Sequence, residues 1–380
     1  MKVVWEYCSV IEGNKNMMIS VIIPLYKGKK YIKKIIDMSA AWKTAGVELE
    51  IIFVNDYPEE ALYDEDYENH SAALIQIHNN ECNVGIHESR IIGCSIAKGN
   101  YIVFLDQDDT LMQDYMNLQL NNIGDREAVI CNGYWREGEL IFSQSNQLKG
   151  NYNFERYLNE GYPVVSLGQL MIKRQAIPNE WLTNPLKHNG CDDLYLWVLM
   201  MLYGVKVSVN NVPVYIHEED GSNSSLNYKE MSLSIQDVRD RILKLKFMDE
   251  KSRVALDKKM LEKISKYDMY EKLNRIIEIT QRQDVEKRLL EKEIKKIAIY
   301  GVGLYGKWLL NILKDSNINI EYAIDSRADV KDIGIPVIQP EKTGGSVDAI
   351  IVTPVFDYGS IRNKIKEKYS CRIMSIEEIL

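Results

Sequence analysis

From Ile19 onward, short β-branched runs alternate with stretches in which apolar residues recur every three or four positions. That is the pattern of strands joined by crossover helices in a mainly parallel sheet. Ile19-Ser-Val-Ile-Ile-Pro-Leu25 reads as a buried strand, and Ile32, Ile35, Ile36, Ser39 and Trp42 share one face of the helix that follows, with Gly46 as its left-handed stop. Further strands are predicted over 49–54, 73–78 and 101–105, the last two enclosing a helix over 85–98. This order sets Asp56, Asn79 and Asp106 at strand C-termini, the edge where open α/β sheets bind ligands.

Residues 124–225 are less regular, with a hairpin expected around Gly138, a helix over 193–203 and short strands over 205–209 and 213–217. Helical spacing dominates from 231 to 293, first as Ile235, Val238, Ile242 and Leu245, then as Leu261, Ile264, Tyr267, Tyr270 and Leu273. The charged stretch 281–296 reads as a solvated helix entering a last domain, which opens with the strand Ile297-Ala-Ile-Tyr300 and a glycine turn. The expected organisation is an extension outside the fold (1–18, with Met17 or Met18 as the natural start), an α/β domain (19–228), a helical connector (229–294) and a small α/β domain (295–380).

Composition narrows the function. A chain of 380 residues, 46% hydrophobic and 27% charged, has apolar material for two or three cores. A net charge of −8 gives no basic field for a phosphate backbone, so nucleic acid is not an expected partner. The six cysteines form no CxxC pair and no Cys-His cluster, which argues for a reducing, cytoplasmic setting without a disulfide frame or structural zinc. The longest uncharged apolar run, Leu194 to Tyr203, falls well short of the roughly 20 residues of a membrane span, and the N-terminus lacks the apolar core of a secretory signal.

The first chemical constellation is Asp106-Gln107-Asp108-Asp109, just past a strand end. Carboxylates crowded there repel one another unless a divalent cation or bound water compensates them; the alternative is that Asp109-Thr110 caps the next helix. What favours the first is the company, in order, of Ile19-Ser-Val-Ile-Ile-Pro-Leu-Tyr26, Ile51-Ile-Phe-Val-Asn-Asp56, and Asn83-Val-Gly85 through Arg90 to Ala97-Lys-Gly-Asn-Tyr-Ile-Val-Phe-Leu-Asp106. Together these resemble the family 2 glycosyltransferases over residues 19–225. The resemblance implies a GT-A fold and inverting transfer of a sugar from a nucleotide diphosphate, most often UDP, to an acceptor hydroxyl, with Mn2+ or Mg2+ holding the diphosphate. It makes Pro24 and Tyr26 part of the nucleobase wall, Asp56 the carboxylate that accepts from the base, Arg90 a residue facing the nucleotide, Asp106 a neighbour of ribose and sugar, and Asp108 the metal ligand.

Gly190-Cys-Asp192-Asp193-Leu-Tyr-Leu-Trp resembles the family's Glu-Asp motif, which implies Asp193 as the base that takes the acceptor's proton, with Asp192 beside it in the place usually held by glutamate. Read alone, both aspartates also suit a helix N-terminus. Tyr215-Ile-His217 with the trailing Gly221-Ser-Asn-Ser-Ser225 resembles the segment that closes the domain, so His217 is a further candidate for metal or phosphate. Two departures stand out: Lys27 where the family has Asn, and Asn55-Asp56-Tyr57-Pro58 where it has two acids followed by Gly-Ser. His70, His78, His87 and His188 have no comparable context.

Near the C-terminus, Gly301-Val-Gly303-Leu-Tyr-Gly306 follows a strand and opens a helix, and Asp325 ends the next strand, nineteen residues beyond Gly306. That context meets the condition for a dinucleotide site of NAD type, and Val352-Thr-Pro-Val would line the same crevice. The domain resembles the small Rossmann-like domains appended to some glycosyltransferases, where such glycines often serve packing. The expectation is a bacterial glycosyltransferase of polysaccharide synthesis, with a nucleotide-sugar donor, a glycan or lipid-linked acceptor, peripheral membrane contact, and a C-terminal domain suited to regulation or homo-oligomer formation. Two other readings stay open: an NAD-dependent sugar-nucleotide oxidoreductase acting through Gly303 and Asp325, and an inactive nucleotide-binding scaffold.

Overall fold

The computed structural model describes residues 17–42, 44–63, 73–136, 138–142, 148–218, 227–326 and 333–380. It divides into two compact units, Met1–Ile264 and Ser265–Leu380. The expectations for the N-terminal extension through residue 16 and for the serines within 221–225 lie outside the described residues.

The first unit is built on eight strands: β1 (Met17–Leu25), β2 (Val47–Asn55), β3 (Leu74–Asn79), β4 (Tyr101–Phe104), β5 (Thr110–Leu111), β6 (Ala128–Trp135), β7 (Leu170–Lys173) and β8 (Val207–His217). Their order in the sheet is β3-β2-β1-β4-β7-β6-β8-β5. The first four are parallel, and β7 then pairs antiparallel with both β4 and β6. After β3 the chain crosses back to lay β4 on the far side of β1, so the strand order reverses at β1 and β4. The helices of this unit are α1 (Lys29–Ser39), α2 (Ile86–Ile96), α3 (Tyr115–Ile123), α4 (Phe154–Glu160), α5 (Asn179–Thr183), α6 (Asp192–Leu202), α7 (Tyr228–Ile242) and the first half of α8 (Glu250–Ile279).

The apolar residues of β1 do not alternate because this central strand is buried on both faces: Ile19, Val21, Ile22, Ile23 and Leu25 are all buried. Ile32, Ile35, Ile36 and Trp42 pack on one side as the helical spacing predicts, and Trp42 Nε1 donates to the carbonyl of Leu111 at 3.0 Å. A charged group lies inside this layer. Glu50, fully buried in β2, accepts from Ser20 Oγ (2.5 Å), Gln76 Nε2 (2.5 Å) and the Lys98 amide (2.9 Å), tying β1 and β3 to β2.

The two short strands expected over 205–217 are one strand. Its pairing with β6 jumps from Cys131↔Asn210 to Asn132↔Pro213, so a bulge rather than a turn absorbs Asn211 and Val212. Asn210 Oδ1 accepts the Val212 amide at 3.0 Å and holds the bulge, and Pro213, which has no N–H to give a ladder, sits just past it.

The second unit carries the latter half of α8, α9 (Arg282–Glu291), and a five-stranded parallel sheet of β9 (Lys296–Tyr300), β10 (Asn319–Ile324), β11 (Val337–Ile338), β12 (Ala349–Val352) and β13 (Arg372–Ser375), with α10 (Leu304–Ile312) and α11 (Tyr358–Ile365). The order β11-β10-β9-β12-β13 reverses between β9 and β12, as in doubly wound α/β sheets. Although the stretch around α9 is highly charged, Val285 and Leu289 are fully buried and join the core of this unit. Among the described residues, no helix is long and apolar enough to cross a membrane.

Candidate active site

The site is assembled at the C-terminal ends of β1, β2 and β4. Asp56, just past β2, is 5% exposed and holds the loop leading into α2: Oδ1 accepts from Asn80 Nδ2 (2.9 Å) and the Val84 amide (2.8 Å), and Oδ2 from the Gly85 amide (2.8 Å). Gly85 has φ +89°, a conformation that suits glycine, and caps α2. A carboxylate, a left-handed glycine and a helix start thereby fix the direction in which Arg90, on the first turns of α2, projects.

Arg90 is the hub. Its guanidinium, 4% exposed, donates to Asp106 at the end of β4 and to Asp192 Oδ2 at 2.5 Å at the start of α6. Asp106 accepts a second bond from Ser166 Oγ (2.9 Å), and Trp181 Nε1 donates to the Asp192 carbonyl (2.9 Å). Arg90 Nε, also buried, has no hydrogen-bond partner. Burial pushes the Asp106 carboxyl up, against the pull of Arg90.

Next to this ion pair lies Asp193. Tyr162 donates its hydroxyl to Oδ2 at 3.2 Å and the Leu194 amide donates to Oδ1 at 2.6 Å. Burial, with the adjacent Asp192 charge, pushes the Asp193 carboxyl up to about 7. The two neighbouring aspartates thereby differ in surroundings: Asp192 pairs with a guanidinium, while Asp193 accepts only from neutral donors.

The acidic loop divides its carboxylates. Asp109, fully buried, accepts from the Tyr215 hydroxyl and the Glu218 amide (3.0 Å), and its Oδ1 lies 3.2 Å from His217 Nδ1. His217 Nδ1 also lies 3.0 Å from the Tyr215 hydroxyl, and Trp135 packs edge-on against the ring. Asp108 is partly buried, and its carbonyl accepts from Lys34 Nζ of α1 at 2.9 Å. No group of three or more His, Cys, Asp or Glu among the described residues is arranged to hold a metal ion. A cation at this loop would be held by an Asp108 carboxylate together with a substrate's phosphate oxygens and water, an all-oxygen set that suits magnesium or manganese.

At the β1 end, Pro24 is buried within the strand and Tyr26 is 49% exposed. Tyr57 meets Tyr26 edge to face, with centroids 5.6 Å apart. Gln107, in the variable place of the acidic motif, accepts from the Tyr26 amide (3.0 Å) and returns its own amide to the Tyr26 carbonyl (3.4 Å). Nothing in the sequence singled out Gln107, Tyr162 or Ser166, the last two lying in the irregular stretch without a motif. His87, also without context in the sequence, is structural: Nδ1 accepts from the Leu186 amide (3.0 Å), Nε2 donates to the Trp181 carbonyl (3.1 Å), and burial lowers its pKa to about 4.

In the second unit, Gly301, Gly303, Gly306 and Asp325 gather at the C-terminal edge of the sheet. Asp325 is buried and accepts the Val302 amide at 2.6 Å, so its carboxylate braces the glycine loop. A Cβ on Gly306 would come within 2.1 Å of the Gly301 carbonyl oxygen, a packing demand, whereas one on Gly303 would meet open space. Thr353 Oγ1 donates to the Gly301 carbonyl at 2.8 Å from the neighbouring strand end.

Residues 20–179 match the family model described as Glycosyl transferase family 2. A curated Escherichia coli protein, UDP-Glc:alpha-D-GlcNAc-diphosphoundecaprenol beta-1,3-glucosyltransferase WfaP, is 25% identical over 221 residues, 56% of this chain and 82% of that protein. Glycosyltransferase GlyA of Streptococcus pneumoniae serotype 4 is 26% identical over 167 residues, 42% of this chain but only 22% of that larger protein. Among solved structures, S. aureus TarS 1–349 superposes with a TM-score of 0.48 at 15% identity, over 79% of this chain and 80% of that one. The match to the family 2 glycosyltransferase model thus spans residues 20–179, and the mixed α/β sheet of the first unit has the architecture of a GT-A fold.

Proposed function

We propose that this family 2 domain transfers a sugar, with inversion, from a UDP-sugar to a hydroxyl of a glycan carried on a lipid diphosphate, on the cytoplasmic side of a bacterial membrane. The observation that carries the reading is the buried Arg90, which joins the end of β4 to the start of α6 and leaves Asp193, its pKa near 7, at the head of that helix. WfaP, by its name a UDP-glucose-dependent enzyme acting on a diphosphoundecaprenol-linked sugar, supports the donor and acceptor classes.

In this reading Asp193 takes the acceptor's proton as its oxygen attacks the anomeric carbon, and Tyr162 keeps the carboxylate oriented. A single base acting on the acceptor, with direct displacement of the nucleotide, inverts the anomeric centre. Asp106, fixed by Arg90 and Ser166, lines the donor side. Asp108 would hold a magnesium or manganese ion, which supplies charge neutralisation for the departing diphosphate. The second unit binds no substrate of this reaction in our reading; it serves regulation or assembly.

The test is isothermal titration with UDP, GDP, CDP and NAD, each with and without manganese, followed by transfer assays with Asp193→Asn. We expect metal-dependent binding of UDP, and an Asp193→Asn protein that still binds UDP but transfers no sugar. Binding of NAD alone, or transfer undiminished by Asp193→Asn, overturns the proposal.

A further inference from the structure

We infer that Lys27 reads the base of the donor nucleotide, favouring one that presents a carbonyl oxygen, as uracil does, over one that presents an amino group there, as cytosine does. The inference rests on the donor reading above and goes beyond it by assigning base selectivity to a residue where the family pattern has asparagine.

Lys27 follows β1 at the reversal of the sheet, where a ligand is expected. Its φ of +52° lies in the left-handed region that glycine and asparagine adopt readily and lysine does not. The conformation is imposed from outside. On one side Gln107 bonds both the amide and the carbonyl of Tyr26; on the other, a Cβ at Gly28 would lie 2.4 Å from Gln107 Oε1. Gln107 thereby holds the backbone just before Lys27 and leaves room only for glycine just after it, and a strained conformation at a ligand edge is a mark of function.

The strained backbone delivers the ammonium to a defined place. Lys27 Nζ lies 5.4 Å from the ring centroid of Tyr26 and 5.4 Å from that of Tyr57, at the corner of their edge-to-face pair. Tyr26 is half exposed and offers a face on which a planar base can stack. Lys27 is exposed and, among the described residues, makes no ion pair, so its charge is not spent on a carboxylate of the protein. Asp56, which the family pattern makes the base reader, is buried, and both its oxygens already accept from Asn80, Val84 and Gly85. An ammonium only donates hydrogen bonds. It therefore gains with a ring carbonyl and is repelled by an amino group in the same position.

The experiment is titration of UDP and CDP, with manganese, into wild-type protein, Lys27→Met and Lys27→Asn. Asparagine accepts left-handed backbone and preserves the loop, so that variant separates lost charge from lost geometry. We expect wild-type protein to prefer UDP, and both variants to lose about tenfold in UDP affinity, the worth of one charge-assisted hydrogen bond, while CDP binding holds or strengthens as the repulsion is removed. Equal losses for UDP and CDP would put the ammonium on the phosphates, and unchanged UDP binding would remove Lys27 from the site; either overturns the inference. Wild-type protein that binds neither nucleotide overturns the donor reading itself, and this inference with it.

Discussion

The Arg90 guanidinium and the Asp192 carboxylate meet at 2.5 Å with both side chains 4% exposed, so one buried cation ties the start of α6 to the end of β4. Removing it strands the buried Asp192 and takes one partner from the less buried Asp106. Arg90→Met should therefore cost about 3–5 kcal/mol of folding stability, the range for breaking a buried pair, read from urea denaturation. A lysine at this position has one point of charge where the guanidinium spans two partners. Arg90→Lys should fold better than the methionine variant and still lose most activity. A methionine variant within about 0.5 kcal/mol of wild type, the range of ordinary surface substitutions, would show that the hub is not structural.

The raised pKa of Asp193 has two signed consequences. A base must be ionised to accept a proton, so transfer should increase with pH through about 7 and level off above it. Folding linkage runs the other way. The folded state holds the proton to higher pH than the unfolded chain, so this group's stabilising contribution is complete below about 4, the unfolded carboxyl range, and is lost as pH rises through about 7. Asp193→Asn should abolish both trends. Rate profiles and denaturation midpoints over this range, compared with wild type, provide the check.

Tyr162 acts through Asp193, to whose Oδ2 it donates at 3.2 Å. Because that bond favours the ionised carboxylate, Tyr162→Phe should move the acid limb of the rate profile to higher pH and lower kcat at neutral pH. The KM for the donor should hold. A merely structural tyrosine would change stability without moving the profile.

Much of this organisation is legible in the chain itself. The strands and helices around β1 to β4 follow from period: a doubly buried strand gives the apolar run without alternation at Ile19, and an amphipathic helix gives the spacing of Ile32, Ile35 and Ile36. Arg90, Asp106, Asp192 and Asp193 were each marked by motif, and three-dimensional structure brings them together across more than a hundred positions. Other parts leave no local signal. Tyr162 and Ser166 reach the site through an irregular stretch, and Gln107 matters because of a loop that is distant in sequence. The bulge at Asn210 reads as a break because a bulge and a turn use the same residue types.

Glu50 is a polar residue in the middle of a buried strand, and alternation alone would face it to solvent. It instead accepts from Ser20, Gln76 and Lys98, three donors on separate segments. Glu50→Ala leaves the buried Ser20 hydroxyl without its acceptor and removes one partner from the less buried Gln76 and Lys98 donors, so it should destabilise the first unit by about 1–2 kcal/mol, an orphaned buried donor costing on the order of 1 kcal/mol or more. Thermal unfolding is sufficient to measure it, and a shift of less than about 1 °C would mean that water replaces the carboxylate, given the few degrees expected per kcal/mol.

Asp108 and Asp109 are neighbours in sequence with opposite expected phenotypes. Asp109 is fully buried against Tyr215, His217 and the Glu218 amide, so Asp109→Ala removes the acceptor of a closed network and should lower the melting temperature whether or not ligand is present. Asp108 is only partly buried, and a substitution there should leave the unliganded melting temperature close to wild type. Its effect should emerge with ligand: the extra stabilisation that manganese adds to UDP should vanish in Asp108→Ala, since a ligand held only by the native state raises its melting point by mass action. Melting curves of the two variants with UDP, with manganese and with both distinguish the roles. A manganese-dependent rise that survives Asp108→Ala would mean that the ion is held elsewhere, and loss of the rise in Asp109→Ala at unchanged unliganded stability would exchange the two assignments.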